Sequence, residues 1–127
     1  AVKPAAASTP SAAAAAAAAT ADAMKEKGNA AFKSQRFYEA DEHYSAAITA
    51  AAAAEDPKLS AVLLANRAAT RLKLGENEGA EKDANAAIAA DKDYTKAYHR
   101  RAAACTALGK FEQALEDYEK VVRANPS

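Results

Sequence analysis

Lys25 and Asn29 stand four residues apart, as do Lys96 and Arg100. On helices that spacing projects both members of a pair from one side. Cations and a carboxamide arranged this way are hydrogen-bond donors, suited to gripping anions rather than to making or breaking bonds. Asn66 lies between the two pairs in sequence and offers a further amide donor. Bond-making chemistry finds little support elsewhere. His43, His99 and the sole cysteine, Cys105, suggest neither a metal cluster nor a nucleophile with its base. The four glycines are scattered, so there is no phosphate-binding loop. No enzyme activity, cofactor or metal is expected.

The elements that must position these donors are read from the rest of the chain. At 127 residues it suits one small domain with room for a tail. Seventeen basic and seventeen acidic residues balance, so net charge predicts no attraction to nucleic acid or to an acidic membrane. The longest apolar run, residues 12–19, is alanine only and makes no membrane span. Residues 1–20 hold twelve Ala, two Pro and four Ser or Thr, a low-complexity, partly helical extension. Residues 1–10 are expected to be disordered. From Ser11, a plausible N-cap, the alanines either prolong the next helix backwards as a spur or form a linker of fractional helicity.

From Ala21 the sequence repeats. "FYEADEHYSAAI" (37–48), "NEGAEKDANAAI" (77–88) and "FEQALEDYEKVV" (111–122) align Ala40 with Ala80 and Ala114. The period is thirty-four residues, with "EDPKLS" (55–60) inserted after the first unit. Each unit, about 21–54, 61–94 and 95–127, carries two stretches of helical periodicity split by a short polar break. The reading is an A helix (about 22–35, 61–74, 95–108) and a B helix (about 38–53, 78–91, 111–124) per unit. So short a pair cannot bury its own apolar face, and three must stack as an all-α solenoid.

This pattern resembles the tetratricopeptide repeat, whose unit places small residues where this chain has Gly28, Ala40 and Ala47, then Ala68, Ala80 and Ala87, then Ala102, Ala114 and Val121. The resemblance covers residues 21–127 and implies three tandem hairpins stacked as a right-handed solenoid. Phe37, Tyr44, Phe111 and Tyr118 are expected to fill the gaps between units. Such arrays usually close with a polar capping helix, so apolar surface around Leu115 and Val122 is expected to be exposed or covered by another chain, with self-association through this last helix as one outcome.

Charge is polarised between the helix classes. The A windows hold nine basic and two acidic residues, the B windows eleven acidic and three basic. The resemblance puts A helices on the concave surface, making a basic groove for an acidic peptide. Within it, "KEKGN", "ANRAA" and "KAYHR" resemble the carboxylate clamp of chaperone-binding tetratricopeptide domains. Lys25, Asn29, Asn66, Lys96 and Arg100 match that clamp, which grips the terminal aspartate of a chaperone tail. Lys73 matches a secondary peptide-contacting lysine, and Ala69 and Leu72 are candidates for an apolar pocket taking an upstream ligand side chain.

The function so implied is a cochaperone adaptor for the acidic C-terminal tails, of Glu-Glu-Val-Asp type, of the seventy- and ninety-kilodalton heat-shock chaperones. A cytoplasmic location follows, with an organelle surface facing the cytosol compatible. The rival readings are a scaffold module that binds an internal helix or acidic segment, and a fragment of an organelle import receptor.

Overall fold

The computed structural model describes residues 11–125. The disorder expected for residues 1–10 therefore lies outside the described residues. Six helices run in sequence as three hairpins: α1 (Ala12–Lys33) with α2 (Phe37–Ala53), α3 (Pro57–Lys73) with α4 (Asn77–Ala90), and α5 (Thr95–Ala107) with α6 (Phe111–Ala124). Each helix packs on the next, and α3 also touches α5. None of the described helices is long and apolar enough to cross a membrane.

Helix ends follow local chemistry. Ser11 caps α1 by accepting from the Ala14 N–H at 3.0 Å, and the alanine run is a continuous spur of that helix. Asp56 caps α3 by accepting from the Leu59 N–H, with Pro57 at the first helical position. Residues 57–60 are thus the opening turn of α3, which begins four residues before the expected 61, and the 55–60 segment does not loop out as a whole. The hairpin turns at Gln35, Gly75 and Gly109 share one left-handed conformation, φ 62°, 78° and 80°. In each, the following N–H reaches back five residues, from Arg36 to Ala31, Glu76 to Arg71 and Lys110 to Cys105.

The core is built mainly from alanine. Ala40, Ala80, Ala47, Ala87, Ala68 and Ala102 are fully buried, which lets paired helices approach closely. Leu63 crosses from α3 into the cluster around Tyr44, Ala47 and Ala51, joining hairpins one and two. Ala61, Ala65, Ala87 and Ala97, backed by Tyr94 and Ile88, join hairpins two and three. Of the aromatic fillers, Tyr44 is buried and Phe37 stacks edge-on against Phe32 at 5.3 Å. Phe111 and Tyr118 do not fill gaps: they are 65% and 37% exposed, because among the described residues no helix covers the outer side of α6.

Two arginines fasten the stack by the same device. Arg67 donates through Nε and Nη2 to both oxygens of Asp83 in its own hairpin, and through Nη1 to Ser45 Oγ in the hairpin before. Arg101 repeats this one unit later, forking onto Asp117 and donating to Asn85 Oδ1. Arg71 joins them, 3.1 Å from Asp83 and 3.6 Å from Asp41. Lys27 and His43 occupy the corresponding positions of the first hairpin, where no such fork exists among the described residues.

Candidate functional site

Asn29, Phe32 and Lys33 from α1, Tyr44 from α2, Asn66 and Ala69 from α3, and Arg100 from α5 line one hollow of about 240 Å³. Three successive hairpins therefore contribute donors to a single place. Helical spacing explains the α1 contribution, since Asn29 and Lys33 are four residues apart and Phe32 lies between them on the same side. A larger adjoining hollow, about 610 Å³, is lined by Asp93, Tyr94, Thr95, Lys96, His99, Arg100, Val121 and Asn125. Arg100 belongs to both and stands at their boundary.

Gly28 and Tyr44 set the depth of the smaller hollow. A Cβ at Gly28 would lie 2.6 Å from the Tyr44 ring, so only glycine lets the ring sit this close to α1. In that position the Tyr44 hydroxyl donates to Asn29 Oδ1 at 2.5 Å. The amide oxygen is thereby occupied internally, and its two N–H donors remain for a guest. Burial pushes the Tyr44 hydroxyl up to about 12, with Arg100 pulling the other way and Glu26 adding to the rise, so the phenol stays protonated and remains a donor.

The cations divide into two groups. Arg67, Arg71 and Arg101, three of the nine that make the A helices basic, point at B-helix carboxylates and add no free charge to the groove. This corrects the expectation that all nine charge the concave side. By contrast, among the described residues no carboxylate lies within ion-pairing distance of Lys25, Lys33, Lys73, Lys96 or Arg100. Arg100 is half-buried, and its Nε–H is buried without a hydrogen-bond partner. A desolvated guanidinium donor left unpaired is costly by about 1–3 kcal/mol or more, a debt that an incoming carboxylate removes. Burial lowers the His99 pKa below its usual 6.5, and the Arg100 charge lowers it further.

Of the eight residues expected from the sequence, Asn29, Asn66, Arg100 and Ala69 meet in the smaller hollow, and Lys96 lines the larger one beside Arg100. Lys25 is half-buried and Lys73 exposed, and neither lines either hollow. Leu72, partly buried, packs against the buried Ala68, Ala80 and Ala104 and does not line the smaller hollow. Lys33, Phe32 and Tyr44 are the lining residues the sequence reading omitted. The first two carry a readable signal, because they continue the Asn29 side of α1 by three and four residues.

The sequence profile described as "Tetratricopeptide repeat" matches residues 95–127. RNA polymerase II-associated protein 3 of Mus musculus is 46% identical over 103 residues, which is 81% of this chain and 15% of that protein. The chain thus spans about one seventh of the length of this relative. A solved structure described as the first TPR of Spaghetti (RPAP3) bound to HSP90 peptide SRMEEVD matches with TM-score 0.78 at 41% identity, covering 87% of this chain and 82% of that one. The second TPR domain of the human RPAP3 protein, in complex with HSP70 peptide SGPTIEEVD, matches with TM-score 0.75 at 38% identity over 90% of this chain and 88% of that one. Three alanine-cored hairpins, the turn geometry repeated in each, and solved domains this similar over most of both chains place the protein: it belongs to the tetratricopeptide-repeat family.

Proposed function

We propose that this domain is a cochaperone adaptor that captures the acidic C-terminal tails, ending in Glu-Glu-Val-Asp or close variants, of the seventy- and ninety-kilodalton heat-shock chaperones. The observation that carries the reading is Arg100: a buried, unpaired guanidinium N–H in a hollow to which Asn29 and Asn66 also belong. The similar domains solved with SRMEEVD and SGPTIEEVD peptides support the same guest.

A terminal aspartate carries two carboxylates on one residue, and it takes several convergent donors to satisfy both. Asn29 and Asn66 supply directional amide donors, Arg100 a planar guanidinium, and Lys25 and Lys96 further positive charge. Lys33 and Lys73 meet the glutamates upstream, and Phe32 and Ala69 offer the apolar part of the wall. Each charge-assisted bond contributes about 1.5–3 kcal/mol before ordering losses, so a handful suits micromolar capture, about 8 kcal/mol. The chemistry is recognition; no bond is made. Such tails place the domain's work in the cytosol or on a surface facing it.

The test is a calorimetric titration of one peptide, SRMEEVD, with a free C-terminus and again as its amide. The amide is expected to bind at least tenfold more weakly. Equal affinities would show that the groove reads an internal acidic segment, as in a scaffold module, and would end this reading.

A further inference from the structure

Lys92, Lys120 and Arg123 line one hollow of about 350 Å³, together with Thr95 and Tyr98. It shares no residue with the smaller hollow that holds Asn29, Asn66 and Arg100. Lys92 comes from the connection between α4 and α5. Lys120 and Arg123 are two of the three basic residues in the B windows, which otherwise carry eleven acidic ones. Tyr98 organises two of these cations. Its hydroxyl donates to the Lys92 carbonyl at 2.8 Å, and its ring holds the Lys120 ammonium 4.9 Å from the centroid. Glu116 and Glu119 stand four residues before Lys120 and Arg123, yet among the described residues no carboxylate lies within ion-pairing distance of any of the three cations.

The arrangement is particular to the third hairpin. Where α6 has Lys120 and Arg123, α2 has Ala46 and Thr49, and α4 has Ala86 and Ala89. Those four residues are exposed although a further hairpin packs on each of their helices. Exposure at these two positions is therefore a property of the repeat, whatever follows α6. We infer that this hollow binds a phosphate monoester, borne on a serine or threonine side chain of a partner protein. A phosphoryl group concentrates nearly two negative charges and three acceptor oxygens in one tetrahedral unit, which three convergent cations match; a carboxylate carries half that charge. Thr95 adds a hydroxyl donor. Asp93, also in the lining, opposes the guest, and three cations less one carboxylate leave the hollow at plus two. Tyr98 is the one ring in the lining, and Lys120 covers it, so none is free to stack on a nucleotide base. Lys92, Lys120 and Arg123 are exposed, so the carrier of the phosphate lies outside the hollow, as a peptide chain would.

The test titrates the whole 127-residue chain, free and again saturated with SRMEEVD, so that its outcome does not depend on tail capture. The probes are a short Gly/Ala peptide with one central phosphoserine, blocked at both ends, its unphosphorylated form, and inorganic phosphate. Binding is read from the backbone amide shifts of residues 92–98 and 120–124. The phosphorylated peptide is expected to bind at least tenfold more tightly than the unphosphorylated one and at least threefold more tightly than inorganic phosphate. Lys120→Ala with Arg123→Ala, at positions where α4 itself carries alanine, is expected to weaken it at least tenfold, with the thermal midpoint and the affinity for SRMEEVD unchanged. Asp93→Asn is expected to tighten it two- to threefold. Equal binding of the two peptides, indifference to the double variant, or loss of the shifts once SRMEEVD is bound would each overturn the inference. Inorganic phosphate binding as tightly as the phosphopeptide would overturn the assignment to a partner chain.

Discussion

The Tyr44 hydroxyl donates to the side-chain oxygen of Asn29, tying the first B helix to the donor set on the first A helix. A residue of the alanine core thus decides which end of an amide faces the groove. Tyr44→Phe removes this bond while keeping the ring, so Asn29 can turn its oxygen toward an anionic guest. The expected outcome is a three- to tenfold loss of affinity for SRMEEVD by calorimetry. The accompanying stability loss is about 1 kcal/mol in urea unfolding, the usual worth of one hydrogen bond.

Gly28 acts one step further back. A methyl group there meets the Tyr44 ring at 2.6 Å, and Tyr44 is itself buried in one cluster with Ala40, Ala47 and Leu63. Alanine gains about 1 kcal/mol of helix propensity, and overpacking opposes it by about 1–3 kcal/mol. Gly28→Ala is therefore expected to lower stability and, by displacing Tyr44, to weaken tail binding as well. A variant more stable than the parent with unchanged affinity would show that Tyr44 moves freely.

Lys96 and Arg100 separate binding from stability most cleanly. Neither has an acidic partner among the described residues. Lys96→Ala and Arg100→Ala are each expected to weaken tail binding at least tenfold. The melting temperature should stay within a few degrees for Lys96→Ala. For Arg100→Ala it should hold or rise slightly, since an unsatisfied buried N–H is removed.

Asp83 gives the opposite pattern. Its carboxylate is buried and accepts from Arg67 and Arg71. Asp83→Ala leaves Arg67 without its carboxylate and Arg71 with only its longer contacts to Asp41 and Glu76, and removing one partner of a buried pair costs about 3–5 kcal/mol. Arg67 is 19% exposed at its side chain, so the lower end of that range is expected. Chemical denaturation measures the loss, while peptide affinity of the remaining folded fraction should be unchanged, because Asp83 does not line the hollow.

The stacked hairpins were legible because the signal is compositional: small residues recur at one period, and they are the ones that become buried. The donors from three hairpins were legible through the four-residue spacing and the family resemblance together. The arginine forks escaped because Arg67 and Asp83, like Arg101 and Asp117, are sixteen residues apart across a hairpin turn, a separation that no helix period covers. Counting all A-helix cations as groove charge overlooks that three of them face backwards. Likewise Leu72 looks like a neighbour of Ala69 by number, but it lies on the side of α3 turned to Ala80 and Ala104. The start of α3 carried a visible mark, Asp56 ahead of Pro57, that the alignment of repeats alone ignores.

His99 links binding to pH. Its imidazolium is disfavoured by burial and by Arg100, so in the free domain its pKa lies below 6.5. A folded-state value below the unfolded one means the free domain's stability is present above about pH 6.5 and declines as pH falls through that range. Binding has the opposite sign. A tail carboxylate beside Arg100 offsets the charge that repels the second proton, raising the His99 pKa in the complex, so the complex takes up protons. Affinity for SRMEEVD is therefore expected to rise about twofold between pH 7.5 and 6, then fall near pH 4–5 as the tail's own carboxylates protonate. Calorimetry in two buffers of different ionisation enthalpy measures the uptake directly. His99→Gln should abolish it while leaving affinity at pH 7.5 nearly unchanged, and a proton release on binding in the parent would show that the guest's charge does not reach Arg100.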